Sequence, residues 1–207
     1  MFNKPLICTV CKRRKAILHL RASGEWICNR CLCRRIEKRV VRILKKKIKE
    51  KFIVLGFSNM GTVVLSHILA RFPREDFSIY TPYDDALLKW IRRRYKLREA
   101  YSDISEVQDK VWLVVPFSLE ELSAFFLKSI MKLHYSTIFA SKQVVFPLSS
   151  FDNQQLEIYA VYRKLPIIPC SERDLYNKLF HEIEEKTPTI RYQFISFINS
   201  LKRLISD

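Results

Sequence analysis

The rhythm of apolar and polar residues changes near residue 51. Before that point, Ala16-Ile17-Leu18-His19-Leu20 and Gly24-Glu25-Trp26-Ile27 predict two short strands around a turn. Residues 34–50 then take a helical period. Ile36, Val40, Ile43, Leu44 and Ile48 run along one side, with Arg34, Arg35, Lys38, Arg39, Arg42, Lys45, Lys46 and Lys49 around the rest, an amphipathic basic helix. After residue 51 the apolar runs become continuous: 52–57, 77–80 and 111–115 predict buried strands, with helical stretches at 62–72 and 84–95 between them. Strands buried on both faces and joined through helices predict a parallel sheet with crossovers. The expected class is therefore α/β, doubly wound.

The remaining chain continues this pattern. A helix is predicted from Ser118, where Ser118 and Glu121 have the spacing of a capping box and Leu119, Leu122, Phe126, Ile130 and Leu133 form the core stripe. A strand at 144–146 leads into a helix over 152–164, and Ser171 with Asp174 opens another that runs to about Lys186. Pro188 interrupts, and a last helix over 189–205 is expected to bury Phe194, Ile195, Ile198, Leu201 and Leu204. There is no internal repeat or low-complexity segment.

With 207 residues, 48% of them hydrophobic, the chain has the composition of a folded protein and excludes wholesale disorder. Charge changes the picture more. Of 37 Lys+Arg and 21 Asp+Glu, residues 1–50 hold 16 and 3, a net of +13, leaving 21 and 18 for residues 51–207, a net of +3. This asymmetry predicts a polyanionic partner for the N-terminal module, nucleic acid ahead of a membrane surface; a merely solvated face is the plainer alternative. No secretory signal pattern opens the sequence, and no apolar run approaches the ~18 to 20 residues that span a bilayer. A cytoplasmic protein without a membrane partner is expected.

Five of the six cysteines fall within the first 33 residues, and four form two pairs, Cys8-x-x-Cys11 and Cys28-x-x-Cys31, sixteen residues apart. Two tight loops that each offer two thiolates suit one tetrahedral zinc ion, so the hairpin between them is expected to be a zinc ribbon with a structural metal. A disulfide pair is disfavoured in a reducing compartment, and a redox pair does not account for the motif occurring twice. Cys33 is expected to be packed rather than ligating. Lys12, Arg13, Arg14 and Lys15 in the first loop, with Arg35, Arg39, Arg42 and Lys46 on the helix, are the candidate phosphate contacts. Few aromatics accompany them, which favours phosphate contact over base stacking.

The loop after the first buried strand, Ser58-Asn59-Met60-Gly61-Thr62-Val63, lies where α/β domains bind phosphates. It has one glycine in the turn, no lysine and no carboxylate for magnesium, so it reads as a plain turn or a weak anion or nucleotide site without turnover. Histidines at 19, 67, 134 and 181 are scattered, and no nucleophile elbow, Walker sequence or HExxH is present. Asp84-Asp85 and Glu120-Glu121 fit helix starts. Cys170 is the single cysteine outside the first module, a nucleophile or, more commonly, a buried structural thiol.

In order, these features resemble the tRNA 2-thiouridine synthetases of the TtuA and Ncs type, which carry a zinc module ahead of a Rossmann-like PP-loop ATP-pyrophosphatase domain. The resemblance rests on Cys8-x-x-Cys11, on Gly24-Glu25-x-x-Cys28-x-x-Cys31 and on Ile36-Glu37-x-Arg39-Val40. It continues through Phe146-Pro147-Leu148, Glu157-Ile158-Tyr159-Ala160, Leu165-Pro166 and Pro169-Cys170, then Thr187-Pro188-Thr189 with Arg191. It implies three parts: a zinc ribbon over 1–33, a basic linker helix over 34–50, and a PP-loop-type domain over 51–207.

Departures from the family pattern carry as much information. Where the family has SGGxDS, this sequence keeps Ser58 but has Asn59, Met60, Gly61, Thr62 and Val63, so ATP is not expected to bind productively. The family's GHNxDDxAxT segment corresponds to residues 116–123, without its histidine and paired aspartates. The cysteine pair that would join Cys170 in holding an iron–sulfur cluster has no counterpart, and no cluster is expected. Nothing after Cys170 supplies the ligand pair of the family's C-terminal zinc finger. The resemblance thus implies a non-catalytic pseudoenzyme, similar to the partner subunit of the eukaryotic cytosolic tRNA thiolation complex. It would bind tRNA and pair with a catalytic PP-loop paralogue as a heterodimer, or with itself as a homodimer. A zinc-ribbon nucleic-acid-binding regulator and a divergent tRNA-modifying enzyme are the alternatives.

Overall fold

The computed structural model describes residues 6–47, 52–71, 77–80, 86–95, 112–131, 143–168 and 175–206. The chain opens with strands β1 (Leu18–Leu20) and β2 (Glu25–Ile27), paired antiparallel with Leu18 opposite Ile27 and Leu20 opposite Glu25. Gly24, at φ +67°, turns the hairpin, and its N–H donates to the Leu20 carbonyl at 2.8 Å. Helix α1 follows at Asn29–Lys47, five residues earlier than its periodicity predicts, so the expected boundary at residue 33 falls inside it. Ile36, Val40 and Leu44, spaced by four, are buried, whereas Ile43 is only partly so; Ile48 lies outside the described residues. Each buried aliphatic contributes about 1.5–3 kcal/mol against leaving it in water.

The α/β part comprises β3 (Phe52–Leu55), α2 (Met60–Leu69), β4 (Phe77–Tyr80), α3 (Ala86–Tyr95), β5 (Trp112–Val114), α4 (Leu119–Met131) and β6 (Val144–Val145). Among the described residues, helices α5 (Asn153–Arg163), α6 (Leu175–Lys186) and α7 (Ile190–Ser206) follow. The four strands pair in parallel in the order β4-β3-β5-β6. All four residues of β3 are buried. Phe52 and Val54 pack into the cluster that holds α2, while Leu55 joins Val115 and Val144 on the other side, which Phe117 and Phe146 connect to α4 and α7. Strands covered on both faces are what doubly wound topology demands, and the expected fold class is the observed one.

The first cluster does not stop at the hairpin. Cys8, Leu18, Leu20, Ile27, Leu32 and Cys33 share it with Val63, Leu65, Ile68, Leu156 and Tyr159. Helix α1 makes that connection by packing on α5, where Glu37 accepts from the Tyr159 hydroxyl at 3.0 Å and from Arg163 at 2.5 Å. Cys33, expected to be packed, is buried beside this group, and burial pushes its thiol up to about 11.

Several helix ends follow their sequence signals. Ser118 and Glu121 form the predicted capping box, with the Ser118 N–H donating to Glu121 Oε2 at 2.9 Å and the Glu121 N–H to Ser118 Oγ at 3.2 Å. Asp152 caps α5 by accepting from the Gln155 N–H at 2.7 Å, and Lys164 ends it in the left-handed conformation at φ 55°. Other expectations shift. In α4, Leu119 and Leu122 are buried and Phe126 is partly buried, but Ile130 is 43% exposed, because the stripe runs past the neighbours that cover its first turns. In α7, Ile195 is buried and Phe194 and Ile198 are partly buried. Leu133, Ser171, Asp174, Asp84, Asp85 and Cys170, with the side chains of Leu201 and Leu204, lie outside the described residues.

Two partly buried groups on this scaffold respond to pH in opposite senses. Burial, then the Asp152 carboxylate, pushes the Glu120 carboxyl up from 4.5 to about 7, although Arg191 and the Asn153 N–H, 2.9 Å away, favour its charge. Burial, then Arg71 and Arg163, holds the His67 ring down from 6.5 to about 4. Between 4.5 and about 7 the fold keeps a proton on Glu120 that the unfolded chain has lost, so this contribution to stability falls as pH rises. Between about 4 and 6.5 the unfolded chain protonates His67 and the fold does not, so that contribution rises with pH. Glu120→Gln should therefore leave the rising limb and remove the falling one, read as urea midpoints across that range. A variant profile parallel to the wild type would remove Glu120 as the cause.

Candidate metal centre and the loop at the switch point

Cys8 and Cys11 sit on a tight turn held by the Cys8 N–H on the Arg14 carbonyl and the Lys12 N–H on the Cys8 carbonyl, both at 2.8 Å, with Lys12 in the left-handed region at φ 53°. Cys28 ends the hairpin, and its carbonyl accepts from the Leu32 N–H at 2.9 Å, so Cys31 lies in the first turn of α1. The four Sγ atoms all lie within 4.8 Å of one another, with Cys11 and Cys28 at 3.9 Å. Tetrahedral thiolates about 2.3 Å from one ion stand about 3.8 Å apart, so this donor set fits a single metal. The thiols also compete for charge. Burial opposes ionisation of Cys8, yet the N–H groups of Cys11, Cys28 and Val10 outweigh it and bring Cys8 down to about 6. Burial and the three neighbouring cysteines push Cys31 up to about 12. A bound cation would relieve that conflict.

The candidate phosphate contacts divide into two groups. Lys12, Arg13, Arg14 and Lys15 are exposed on the first cysteine loop, and Arg39, Arg42 and Lys46 are exposed on α1. Arg35 is different, since its guanidinium donates to Glu25 Oε2 at 2.7 Å and lowers that carboxyl. It ties the helix to the hairpin and brings its own counterion.

The second candidate lies between the carboxyl ends of β3 and β5, where the chain departs in opposite directions from two adjacent parallel strands. Such a crevice is the usual ligand position in open α/β sheets. Here the loop bonds to itself. Asn59 caps α2, its Oδ1 accepting from the Thr62 N–H at 2.9 Å and the Thr62 hydroxyl at 2.7 Å, and the Phe57 N–H donates to Thr62 Oγ1 at 3.0 Å. Gly61 presses on the neighbouring loop so closely that a Cβ would stand 1.7 Å from the Pro116 carbonyl oxygen. Asn59 Nδ2 donates to Glu121 Oε1 at 2.9 Å, which brings a carboxylate to the edge of the loop. Ser58 is exposed. The sequence identified Ser58, Asn59, Gly61 and Thr62 as the loop; the partners Pro116 and Glu121, some sixty residues away, gave no local signal.

A doubly wound α/β domain, preceded by a four-cysteine hairpin and a basic helix, is the class these features define. Over its whole length it is similar to the U34-tRNA thiolase NcsA from Methanococcus maripaludis with its 4Fe–4S cluster: TM-score 0.72, 13% identity, 98% of this chain and 88% of that one. The NH3-dependent NAD synthetase from Campylobacter jejuni aligns less closely, at TM-score 0.48 and 10% identity over 84% of this chain and 88% of that one. No family model matches the chain, and no characterised protein matches it by sequence. Among the described residues no helix is long and apolar enough to cross a membrane.

Proposed function

We propose that this chain is a non-catalytic, tRNA-binding subunit of a wobble-uridine 2-thiolation system, working beside a catalytic PP-loop paralogue that activates and thiolates the base. The observation that carries this reading is the self-bonded loop at the switch point. The N–H groups of Phe57 and Thr62, which a phosphate-binding loop would offer, are already taken by Thr62 Oγ1 and Asn59 Oδ1, and Glu121 sets negative charge beside them. The thiolase fold is kept, and so is the basic N-terminal surface. In this reading the four-cysteine site holds structural zinc, because its sulfurs are spaced for one ion, whereas a four-iron cluster would have to spread them around several metals. The α/β part, with only Cys170, has too few thiolates for a cluster of its own. The protein works in the cytoplasm, as a heterodimer with that paralogue.

Recovered from its own cells, the protein should carry tRNA and the paralogue; alone, it should release no pyrophosphate from ATP in the presence of tRNA. Neutralising Arg39, Arg42 and Lys46 together should flatten the plot of log affinity for tRNA against log salt by roughly 0.7 to 0.9 per lost phosphate contact. Neutralising Arg35 should change the slope less, because Glu25 already balances it. An unchanged slope in the triple variant would remove α1 from the interface. Preference for duplex DNA at matched ionic strength would instead favour a nucleic-acid-binding regulator.

A further inference from the structure

A cavity of about 380 Å3 opens where α1, the carboxyl end of α2 and α5 meet, lined by Glu37, Lys38, Val41, Ile68, Arg71 and Arg163. It is distinct from the switch-point loop, since the ten residues of α2, about 15 Å of helix, separate them. Its charges are unequal. Three cations line it against one carboxylate, and Glu37 Oε1 is already shared among Arg163 at 2.5 Å, the Tyr159 hydroxyl at 3.0 Å and Arg71 at 3.5 Å. One negative charge therefore serves Arg163 and Arg71 while Lys38 is exposed, and the buried Nε of Arg163 has no hydrogen-bond partner among the described residues. Beside these groups stand Val41, partly buried, and Ile68, buried.

We infer that this cavity takes one nucleotide, its phosphate on Lys38 and Arg71 and its base against Val41 and Ile68. The excess of two positive charges matches a phosphate, and the apolar wall has no role for a bare anion. The volume is at the lower end of the range for small-molecule sites and larger than inorganic phosphate requires. Arg163, fixed by Glu37 and lying 5.6 Å from the Tyr162 ring centroid, is held in place before the ligand arrives. The nucleotide is either free or an unstacked residue of a bound RNA; in the second case the inference rests on the tRNA reading above.

The test uses the full chain with three probes: uridine monophosphate, inorganic phosphate and an unmodified tRNA transcript. Arg71→Ala removes a half-exposed cation, and Val41→Trp fills the cavity from a partly buried position. Lys45→Ala removes a charge from the same helix outside the cavity. Metal content and thermal melting establish that each variant is folded. Arg71→Ala should weaken nucleotide binding by about tenfold, the effect of losing one charge-assisted contact, and Val41→Trp should weaken it at least as much by filling the space the base needs, while Lys45→Ala does not. Loss on the tRNA probe alone assigns the nucleotide to RNA; loss on the monophosphate alone assigns a free nucleotide and leaves the tRNA reading to its own salt experiment. Binding of tRNA that both cavity variants leave intact, with no monophosphate binding, overturns the inference without touching that reading. Inorganic phosphate binding as tightly as the monophosphate also overturns it.

Discussion

Gly61→Ala is expected to destabilise the protein by at least about 3 kcal/mol, at the upper end of what overpacking costs. The added Cβ would stand 1.7 Å from the Pro116 oxygen and 2.9 Å from its carbonyl carbon. Both are backbone atoms, so relief requires moving the first turn of α2 away from the loop that follows β5. Moving that turn disturbs the Asn59 cap and its bond to Glu121 as well. For a chain of this size the loss corresponds to a fall in Tm of about 6–12 °C. Gly24→Ala supplies the comparison. At φ +67° with nothing within 4 Å, it meets only the left-handed penalty of about 1–2 kcal/mol. Thermal melts of the two variants that coincide would refute the close approach at Gly61.

Cys28→Ser should have the other large effect. A structural metal contributes on the order of 10–16 kcal/mol to folding of a small cysteine module, and this hairpin has three residues in each strand. Metal content should fall from one ion per chain to none, and amide protection over the two cysteine loops should collapse. The damage should also spread, because Leu20, Ile27 and Leu32 share a core with Leu156 and Tyr159. Hydrogen exchange should therefore rise in α5 too. Cys33→Ala, a substitution outside the four-sulfur group, should keep the metal. Retention of one metal ion and of full protection in Cys28→Ser would exclude the four-cysteine site as a structural centre.

How much of this was legible in the sequence depended on how far apart the interacting residues lie. The cysteine pairs, the capping box at Ser118 and the buried run of β3 are signals within a few residues, and the structure contains them. The start of α1 lies ahead of its apolar period because its first turn carries Cys31 of the second cysteine pair: there the metal-ligand spacing stands out and the helical period does not. Ile130 fits a core stripe by period, but what covers a helix face is decided by distant elements. The closures that define the switch-point loop, Gly61 on Pro116 and Asn59 on Glu121, join segments that no local pattern connects. The Glu37–Arg163 pair joins residues 126 apart in the chain, and with it the cavity that neither residue announces.

That pair also bears on how this chain can be divided. A fragment beginning at residue 51 would keep every strand of the parallel sheet, yet it would leave the Tyr159 hydroxyl and the Arg163 guanidinium facing water where Glu37 now stands. It would also uncover the apolar flank of α5 and α2 that Ile36 and Val40 close. The cysteine hairpin and its helix thus behave as the missing wall of the larger body rather than as an appendage. Recombination that exchanged this N-terminal segment for another would have to bring a matching carboxylate and a matching apolar ridge with it.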